Sequence, residues 1–323
     1  MRASKNLVLA ALVFAVGLLP ASAAVTGHFE RTLKVTGAVD LNIVSGSGNI
    51  NVRTGASDSV IVSAKIHANN SWLFAGNVED RVHRIEQNPP IEQQGNIIHI
   101  GRSQDRDLFR NISIDYEVTV PAQTRLTSQT GSGDQTVNGV QLPLSARTGS
   151  GNITVDNLGA DARITAGSGD MKIGTVKGSL TATDGSGNIR AQGVAGEINA
   201  TTGSGDIEMR QVAAGNVRVG TGSGNIKLYG IKGGLRAQAG SGDIVAEGQP
   251  TTDWQLGAGS GNITLKMPAQ ASFNIDARTS SGSLKVAPSV QGGTVSHNRV
   301  QGKVGNGGPL LDLHTGSGDI DVE

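Results

Sequence analysis

Apolar residues two positions apart recur about every nine residues along most of this chain. This spacing puts both side chains on one face of a strand, so each pair predicts a short β-strand with one buried face. The regular pairs are Ile189/Ala191, Ile198/Ala200, Ile207/Met209, Val217/Val219, Ile226/Leu228, Leu235/Ala237, Ile244/Ala246, Trp254/Leu256, Ile263/Leu265, Ile275/Ala277 and Leu284/Val286. Two such strands make one repeat of about 18 residues, a period typical of stacked units.

A glycine-rich turn marks one corner of each repeat. Most copies read Gly-Ser-Gly followed by Asn or Asp, and those from Gly131 to Gly259 begin every 18 or 19 residues. Glycine adopts the positive φ that a tight turn needs. At the other corner a single apolar residue, such as Val176, Val194 or Ile231, is expected to point inward. We predict an all-β, parallel β-helix or β-roll-like solenoid with about 18 residues per coil and one small helical insertion.

The polar residue that ends each turn alternates in charge along the chain. Stacking at about 4.8 Å per coil places these residues above one another. In chain order they are Asp134, Asn152, Asp170, Asn188, Asp206, Asn225, Asp243 and Asn262. Carboxylates in adjacent coils would repel and raise one another's pKa, whereas an intervening Asn doubles their separation and can bridge them by hydrogen bonds. We predict that these residues form a structural turn ladder.

The beginning of the chain has the three parts of a secretory signal: a basic start, an apolar core and a small-residue cleavage site. Residues 1–23 are therefore predicted to be removed as a signal peptide. Residues 24–123 predict an irregular part of the solenoid that already contains strands at Leu33/Val35, Leu41/Ile43, Ile50/Val52 and Val60/Val62.

Residues 68–95 are predicted to interrupt this irregular part, with a short helix near 77–87. The insertion contains Trp72, Leu73 and Phe74. Insertions in solenoids map to one face and can carry binding, which makes these three residues candidates for contact with a partner. The alternative is that the helix covers an open end or side of the solenoid and buries Trp72 and Phe74.

Residues 124–323 are predicted to form the regular solenoid, ending in a degenerate coil. Strand pairing is expected to be lost between 288 and 308, where glycine and polar residues predominate. The last strand carries Asp319, Asp321 and Glu323, and we expect it to present charge at the exposed end, which discourages end-to-end stacking.

Composition narrows the choice of partner. The 323 residues include 27 basic and 27 acidic ones, so zero formal net charge gives no general case for nucleic acid or an anionic membrane. The chain has no cysteine and two residues each of Trp and Tyr, which leaves stacking platforms poorly supplied. We expect an exported monomer, periplasmic or extracellular, without membrane insertion after signal cleavage.

No pattern predicts a catalytic, metal or cofactor site. In Gly222-Ser223-Gly224-Asn225-Ile226 the ligand position of a calcium-binding β-roll is held by Ile226. The six histidines lack zinc-ligand spacing. A polysaccharide-active enzyme would need an acid and a base near one bond. Its candidates are the outward residues Glu208, Arg210, Lys227, Glu247 and Lys266, although such charges are typical of a solvated face.

One succession of residues reads Ile114-Asp115-Tyr116-Glu117-Val118-Thr119-Val120-Pro121, followed by Thr130-Gly131-Ser132-Gly133-Asp134 and the reiterated units. This succession resembles the DUF4097 family of exported β-strand repeat proteins, often labelled adhesins. The resemblance extends over nearly all of the predicted mature chain. It implies a parallel β-helix-like solenoid without an established enzymatic activity, and it offers no catalytic residues.

We therefore predict a non-enzymatic, adhesin-like binding or scaffolding protein at the cell envelope, whose partner is an unidentified envelope protein or glycan. A polysaccharide-active enzyme and a passive structural spacer are the alternatives.

Overall fold

The computed structural model describes residues 25–68, 78–101, 105 and 107–323. Within that part the chain forms 27 strands and one helix, α1, at Val78–Gln87. The strands are β1 Val25–Lys34, β2 Val39–Ser47, β3 Ile50–Thr54, β4 Ser59–Ala68, β5 Ile91–Gln94, β6 Ile97–Ile100, β7 Ile112–Val120, β8 Thr124–Ser132, β9 Gln135–Asn138, β10 Leu144–Ser150, β11 Ile153–Asp156, β12 Ala162–Ser168, β13 Met171–Ile173, β14 Leu180–Ser186, β15 Ile189–Val194, β16 Ile198–Ser204, β17 Ile207–Gln211, β18 Val217–Ser223, β19 Ile226–Ser241, β20 Ile244–Ser260, β21 Ile263–Lys266, β22 Phe273–Ser281, β23 Leu284–Val286, β24 Val290–Val295, β25 Arg299–Val304, β26 Leu310–Ser317 and β27 Ile320–Val322.

The strands stack into two parallel ladders on opposite sides of one core. The outward surface of the first ladder, face A, runs β6, β2, β8, β10, β12, β14, β16, β18, β19, β20, β26 and β22. The outward surface of the second, face B, runs β7, β3, β9, β11, β13, β15, β17, β19, β20, β21, β27 and β23. The long strands β19 and β20 cross the corner and belong to both ladders. The predicted all-β solenoid is confirmed.

The core follows from the alternation of apolar and polar residues. In each regular strand the apolar residues point between the two ladders and their neighbours point outward. The corner residues Val176, Val194 and Ile231 are fully buried, as the sequence predicts. In one coil Gln211 takes this inward place; its amide donates to the carbonyl of Gly215 (3.0 Å) and accepts from the backbone N–H of Lys232 (3.1 Å). A buried polar side chain is tolerated there because its hydrogen bonds are made.

The glycines of the turn serve close coil packing as well as backbone conformation. Gly224 has φ of 142°, and a Cβ built on it would collide with the carbonyl oxygen of Gly205 in the neighbouring coil. A Cβ on Gly222 would lie 2.5 Å from the carbonyl oxygen of Gly203. Turn geometry alone therefore does not account for the repeated glycines; the coils approach too closely for any side chain at either position.

The last coil of the chain does not lie at the end of the stack. The prediction that its last strand presents charge at the exposed end was therefore wrong. Strand β26 pairs with β20 on one side and β22 on the other, and β27 pairs with β21 and β23. Leu311 and Leu313 of β26 are fully buried as a result. The physical gain is that both edges of these strands form ladder hydrogen bonds, which a terminal strand cannot do.

Residues 288–308 are likewise more ordered than the degenerate coil and loop expected there. Strands β24 and β25 form an antiparallel hairpin, and β25 pairs antiparallel with β22. The hairpin covers the outer edge of the last face A strand and buries Val300 and Val304.

The other end of the stack is formed by the part of the chain predicted to be an irregular solenoid, and it contains an antiparallel sheet. Strands β2 and β3 form a coil directly beside β8 and β9, but β4 pairs antiparallel with both β1 and β7. Leu33/Val35 and Val60/Val62 therefore do not belong to solenoid coils, because their segments form an antiparallel sheet at this end. Helix α1 packs on β1 and buries Val78, Val82 and Ile85. In the part of the chain described here, no helix is long and apolar enough to cross a membrane.

Candidate functional site: a polar groove on face A

The turn residues form a continuous hydrogen-bonded column along one edge of the solenoid. The backbone N–H of each donates to the side-chain oxygen of the turn residue in the preceding coil, for example Asn152 to Asp134 Oδ1 at 2.7 Å and Asp170 to Asn152 Oδ1 at 2.9 Å. In spatial order the column is Asp115, Asn49, Asp134, Asn152, Asp170, Asn188, Asp206, Asn225, Asp243, Asn262, Asp319 and Ser283.

Alternation of Asp and Asn in this column follows the stacking order rather than the chain order. Asp319 follows Asn262 in space, and Ser283, which precedes Asp319 in the chain, comes last. Ser283 donates to Asp319 from both its backbone N–H and its hydroxyl, which lowers the pKa of that carboxyl. One side-chain oxygen of each Asp and Asn in the column thus joins neighbouring coils. The described residues include no cluster of three or more acidic, His or Cys side chains suited to a metal ion.

A second column lies just inside the turns. At this position the hydroxyls of Thr148, Thr202 and Thr221 donate to glycine carbonyls of neighbouring coils at 3.3, 3.1 and 3.0 Å. Asp184 takes the same place in its own coil and is 4% exposed. Its Oδ1 accepts from the backbone N–H of Ser186 at 3.1 Å, but its buried Oδ2 has no partner. Burial raises the pKa of this carboxyl.

The candidate enzyme residues do not converge on one point. Glu208, Lys227, Glu247 and Lys266 occupy four successive coils of face B. Glu208 lies 3.9 Å from Arg190 in an ion pair, and the guanidinium of Arg210 lies 5.1 Å from the centre of the Tyr229 ring. The candidate partner residues Trp72, Leu73 and Phe74, like the predicted signal peptide, lie outside the described residues.

Face A carries a groove that sequence reasoning missed. Two adjoining hollows of about 530 and 350 Å³ share Ser179 and Thr181 and extend across the strands from β8 to β20. The row of side chains along their floor takes the same register position in every coil. In stacking order this floor row is Thr127, Ser145, Arg163, Thr181, Asn199, Arg218, Arg236 and Gln255. Seven intervals of about 4.8 Å give the groove a length of roughly 34 Å.

The arginines of this groove have no side-chain partner among the described residues. Arg125, Arg163, Arg218 and Arg236 are exposed, and none donates a side-chain hydrogen bond or forms an ion pair with another described residue. Farther along face A the pattern changes, because Arg278 lies 3.9 Å from Asp312 and Arg299 lies 3.3 Å from Asp276. The middle of the face is therefore where guanidinium groups remain available to a ligand.

Carboxylates line the rim of the groove, but two of the three hold the fold together. Asp161 accepts from the backbone N–H of Ser179, and Asp253 accepts from that of Leu310, both at 2.8 Å. Glu197 is exposed, and no other described residue contacts its carboxylate by a hydrogen bond or ion pair. The groove thus offers guanidinium, amide and hydroxyl groups on its floor and one uncommitted carboxylate on its rim.

The outward arginines are visible in the sequence, since they alternate with buried apolar residues. What the alternation does not reveal is that the row runs along a hollow or that its charges lack partners. Both depend on the shape of neighbouring coils.

Solved structures from three bacteria resemble this chain weakly. A provisionally named cell adhesion protein from Clostridium sporogenes has 12% identity and a TM-score of 0.21, covering 92% of this chain and 98% of its own. A provisionally named adhesin from Bacteroides fragilis has 13% identity and a TM-score of 0.30, with coverages of 92% and 97%. A provisionally named lipid binding protein from Parabacteroides distasonis has 13% identity and a TM-score of 0.40, with coverages of 92% and 96%. Identities and TM-scores this low carry no argument about a ligand.

The comparison with curated proteins finds no match. The family model described as Toastrack DUF4097 matches residues 30–210 and 191–323, which together span nearly all of the chain and confirm the resemblance found in the sequence. The chain belongs to the DUF4097 (Toastrack) family.

Proposed function

We propose that this chain is an exported, non-enzymatic binding protein of the cell envelope that holds an extended polar ligand in the face A groove. The observation that carries the proposal is that the arginines of the groove floor have no side-chain partner among the described residues. Near the far end of the face Arg278 and Arg299 pair with aspartates, whereas Arg218 and Arg236 in the groove form no ion pair with a described residue. Rigid stacking suits this role, because it fixes the backbone positions from which these side chains extend, so that only the side chains are ordered on binding.

A binding role fits the groove better than catalysis. Hydrolysis or elimination at a glycosidic bond needs an acid and a base at one bond. Asp161 and Asp253 are committed to backbone N–H groups, which leaves Glu197 as the single uncommitted carboxylate among the described residues of the groove. One carboxylate cannot supply both roles.

Binding of the predicted mature chain, residues 24–323, to fractionated envelope proteins and glycans tests the proposal. We compare the unaltered chain with Arg218→Gln/Arg236→Gln and with Trp72→Ala/Leu73→Ala/Phe74→Ala. Saturable binding that is lost in the arginine variant supports the groove. Binding that survives there but is lost in the second variant moves the site to the 68–95 insertion and overturns the groove. No binding in any fraction favours a passive spacer.

A further inference from the structure

The groove chemistry favours one class of ligand, an inference that rests on the binding function proposed above. We propose that the groove takes a linear polyuronate, an acidic glycan whose sugars carry carboxylates. The arginines supply the first reason. A guanidinium matches a carboxylate with two parallel hydrogen bonds, and both Arg218 and Arg236 are exposed and unpaired.

The spacing of charge along the floor row fits a polymer that carries fewer charges per unit length than duplex nucleic acid. Arg163 is followed by the neutral Thr181 and Asn199 before Arg218 and Arg236. At about 4.8 Å per coil, roughly 14 Å separates Arg163 from Arg218. Duplex nucleic acid presents one charge per ~1.7 Å and binds through many closely spaced basic contacts, whereas the floor row holds three arginines, Arg163, Arg218 and Arg236, over roughly 34 Å.

The neutral positions fit sugar hydroxyls. The floor row places Ser145, Thr181, Asn199 and Gln255 between and beyond the arginines, and each can donate to or accept from a hydroxyl. Glu197 on the rim adds an acceptor for a sugar hydroxyl. Among the described residues, those lining the two hollows include no aromatic one, so they offer a neutral glycan no stacking platform. Carboxylates are then the groups that give the ligand its affinity.

Polygalacturonate oligomers are the probe, titrated by calorimetry against the predicted mature chain at low ionic strength. A fully methyl-esterified sample of the same oligomers removes the charge and keeps the sugars. The test variant is Arg218→Gln/Arg236→Gln. Its matched control is Lys172→Gln/Lys227→Gln, which removes the same charge from exposed positions of face B. All four side chains are exposed, and a thermal scan checks that both variants remain folded.

We expect saturable binding of polygalacturonate that weakens with salt, a loss of about tenfold or more in the arginine variant, and a change of about twofold or less in the lysine control. The esterified oligomers should not bind. Equal binding of charged and esterified oligomers, or equal losses in both variants, overturns the proposal. Tighter arginine-dependent binding of a poly(glycerol phosphate) overturns the carboxylate assignment.

The two proposals fail separately. If polygalacturonate does not bind while an envelope fraction still binds in an arginine-dependent way, the ligand class is wrong and the binding function stands. If neither binds, both are wrong.

Discussion

Asp184 provides a direct test of how the inner turn column stabilises the stack. At the equivalent position of the next coil, the hydroxyl of Thr202 donates to the carbonyl of Gly187 at 3.1 Å. The ionised carboxylate of Asp184 can only accept, and its Oδ2 is buried without a partner. Leaving such a group unsatisfied costs about 1–3 kcal/mol. Asp184→Thr should therefore raise the free energy of unfolding by about this amount at neutral pH.

The pH dependence of this gain follows from the raised pKa. In the unfolded chain Asp184 titrates at its ordinary value of 3.8, and in the folded chain it titrates higher because of burial. Below pH 3.8 the carboxyl is protonated in both states, so its ionisation does not oppose folding. As the pH rises through the folded pKa the penalty appears in full, and stability is lost. The advantage of Asp184→Thr should thus be small near pH 3.5 and reach its plateau at neutral pH.

Thermal unfolding of both proteins between pH 3.5 and 8 measures this difference. At about 2 °C per kcal/mol for a chain of this size, the midpoint of Asp184→Thr should lie about 2–6 °C above that of the unaltered protein at pH 7. Glu197→Gln is the control, because it removes an exposed carboxylate one coil away and should change stability by about 0.5 kcal/mol or less. The reasoning is refuted if Asp184→Thr gives no gain at pH 7, or the same gain at pH 3.5.

Three further predictions concern the stack. Asn188→Asp/Asn225→Asp places five carboxylates in adjacent coils, and each new pair costs about 0.9 kcal/mol or less at about 4.8 Å in water. The melting temperature at neutral pH should therefore fall, and it should recover in acid or high salt. An unchanged melting temperature contradicts the predicted ladder. Gly222→Ala should lower the free energy of unfolding by about 1 kcal/mol or more, measured by urea unfolding. Gly46→Ala is the control and should be nearly neutral, because Gly46 has the same turn position but nothing lies within 4 Å of its Cβ. Equal effects would refute the role of coil packing. Deleting residues 309–323 removes β26 and β27 from between two coils, and limited proteolysis should then cut within 266–308 well before the rest; uniform resistance would contradict the inserted arrangement.

Much of the repeating architecture can be predicted from the sequence because it depends on local physics. Apolar spacing of two fixes which side chains of a strand face inward, as Ile226 and Leu228 do, and the glycine turns fix where each strand ends. The corner residues Val176, Val194 and Ile231 were predictable for the same reason. These signals lie within one coil, so reading them does not require knowledge of which coil is the neighbour.

The order of coils at the ends of the stack cannot be predicted from these local signals. Coils built from the same isoleucines and Gly-Ser-Gly turns present nearly identical edges, so the pattern of β26 and β27 would fit several places in the stack. Only the tertiary structure decides that they insert beside β20 and β21, where both of their edges are paired, and that the β24–β25 hairpin covers β22. The turn column indicates this order, because Asp319 beside Asn262 keeps the alternation of Asp and Asn that Ser283 would break.

The sequence by itself determined the solenoid, its inward and outward positions, its turn chemistry and the identity of every side chain along the groove floor. The tertiary structure decided which coils are neighbours, and with them the hollow on face A and the isolation of Arg218 and Arg236 from acidic partners. The physical reason is the sequence separation of the interacting groups. Strand alternation and turn conformation depend on residues a few positions apart, whereas concavity and ion pairing depend on groups brought together from different coils.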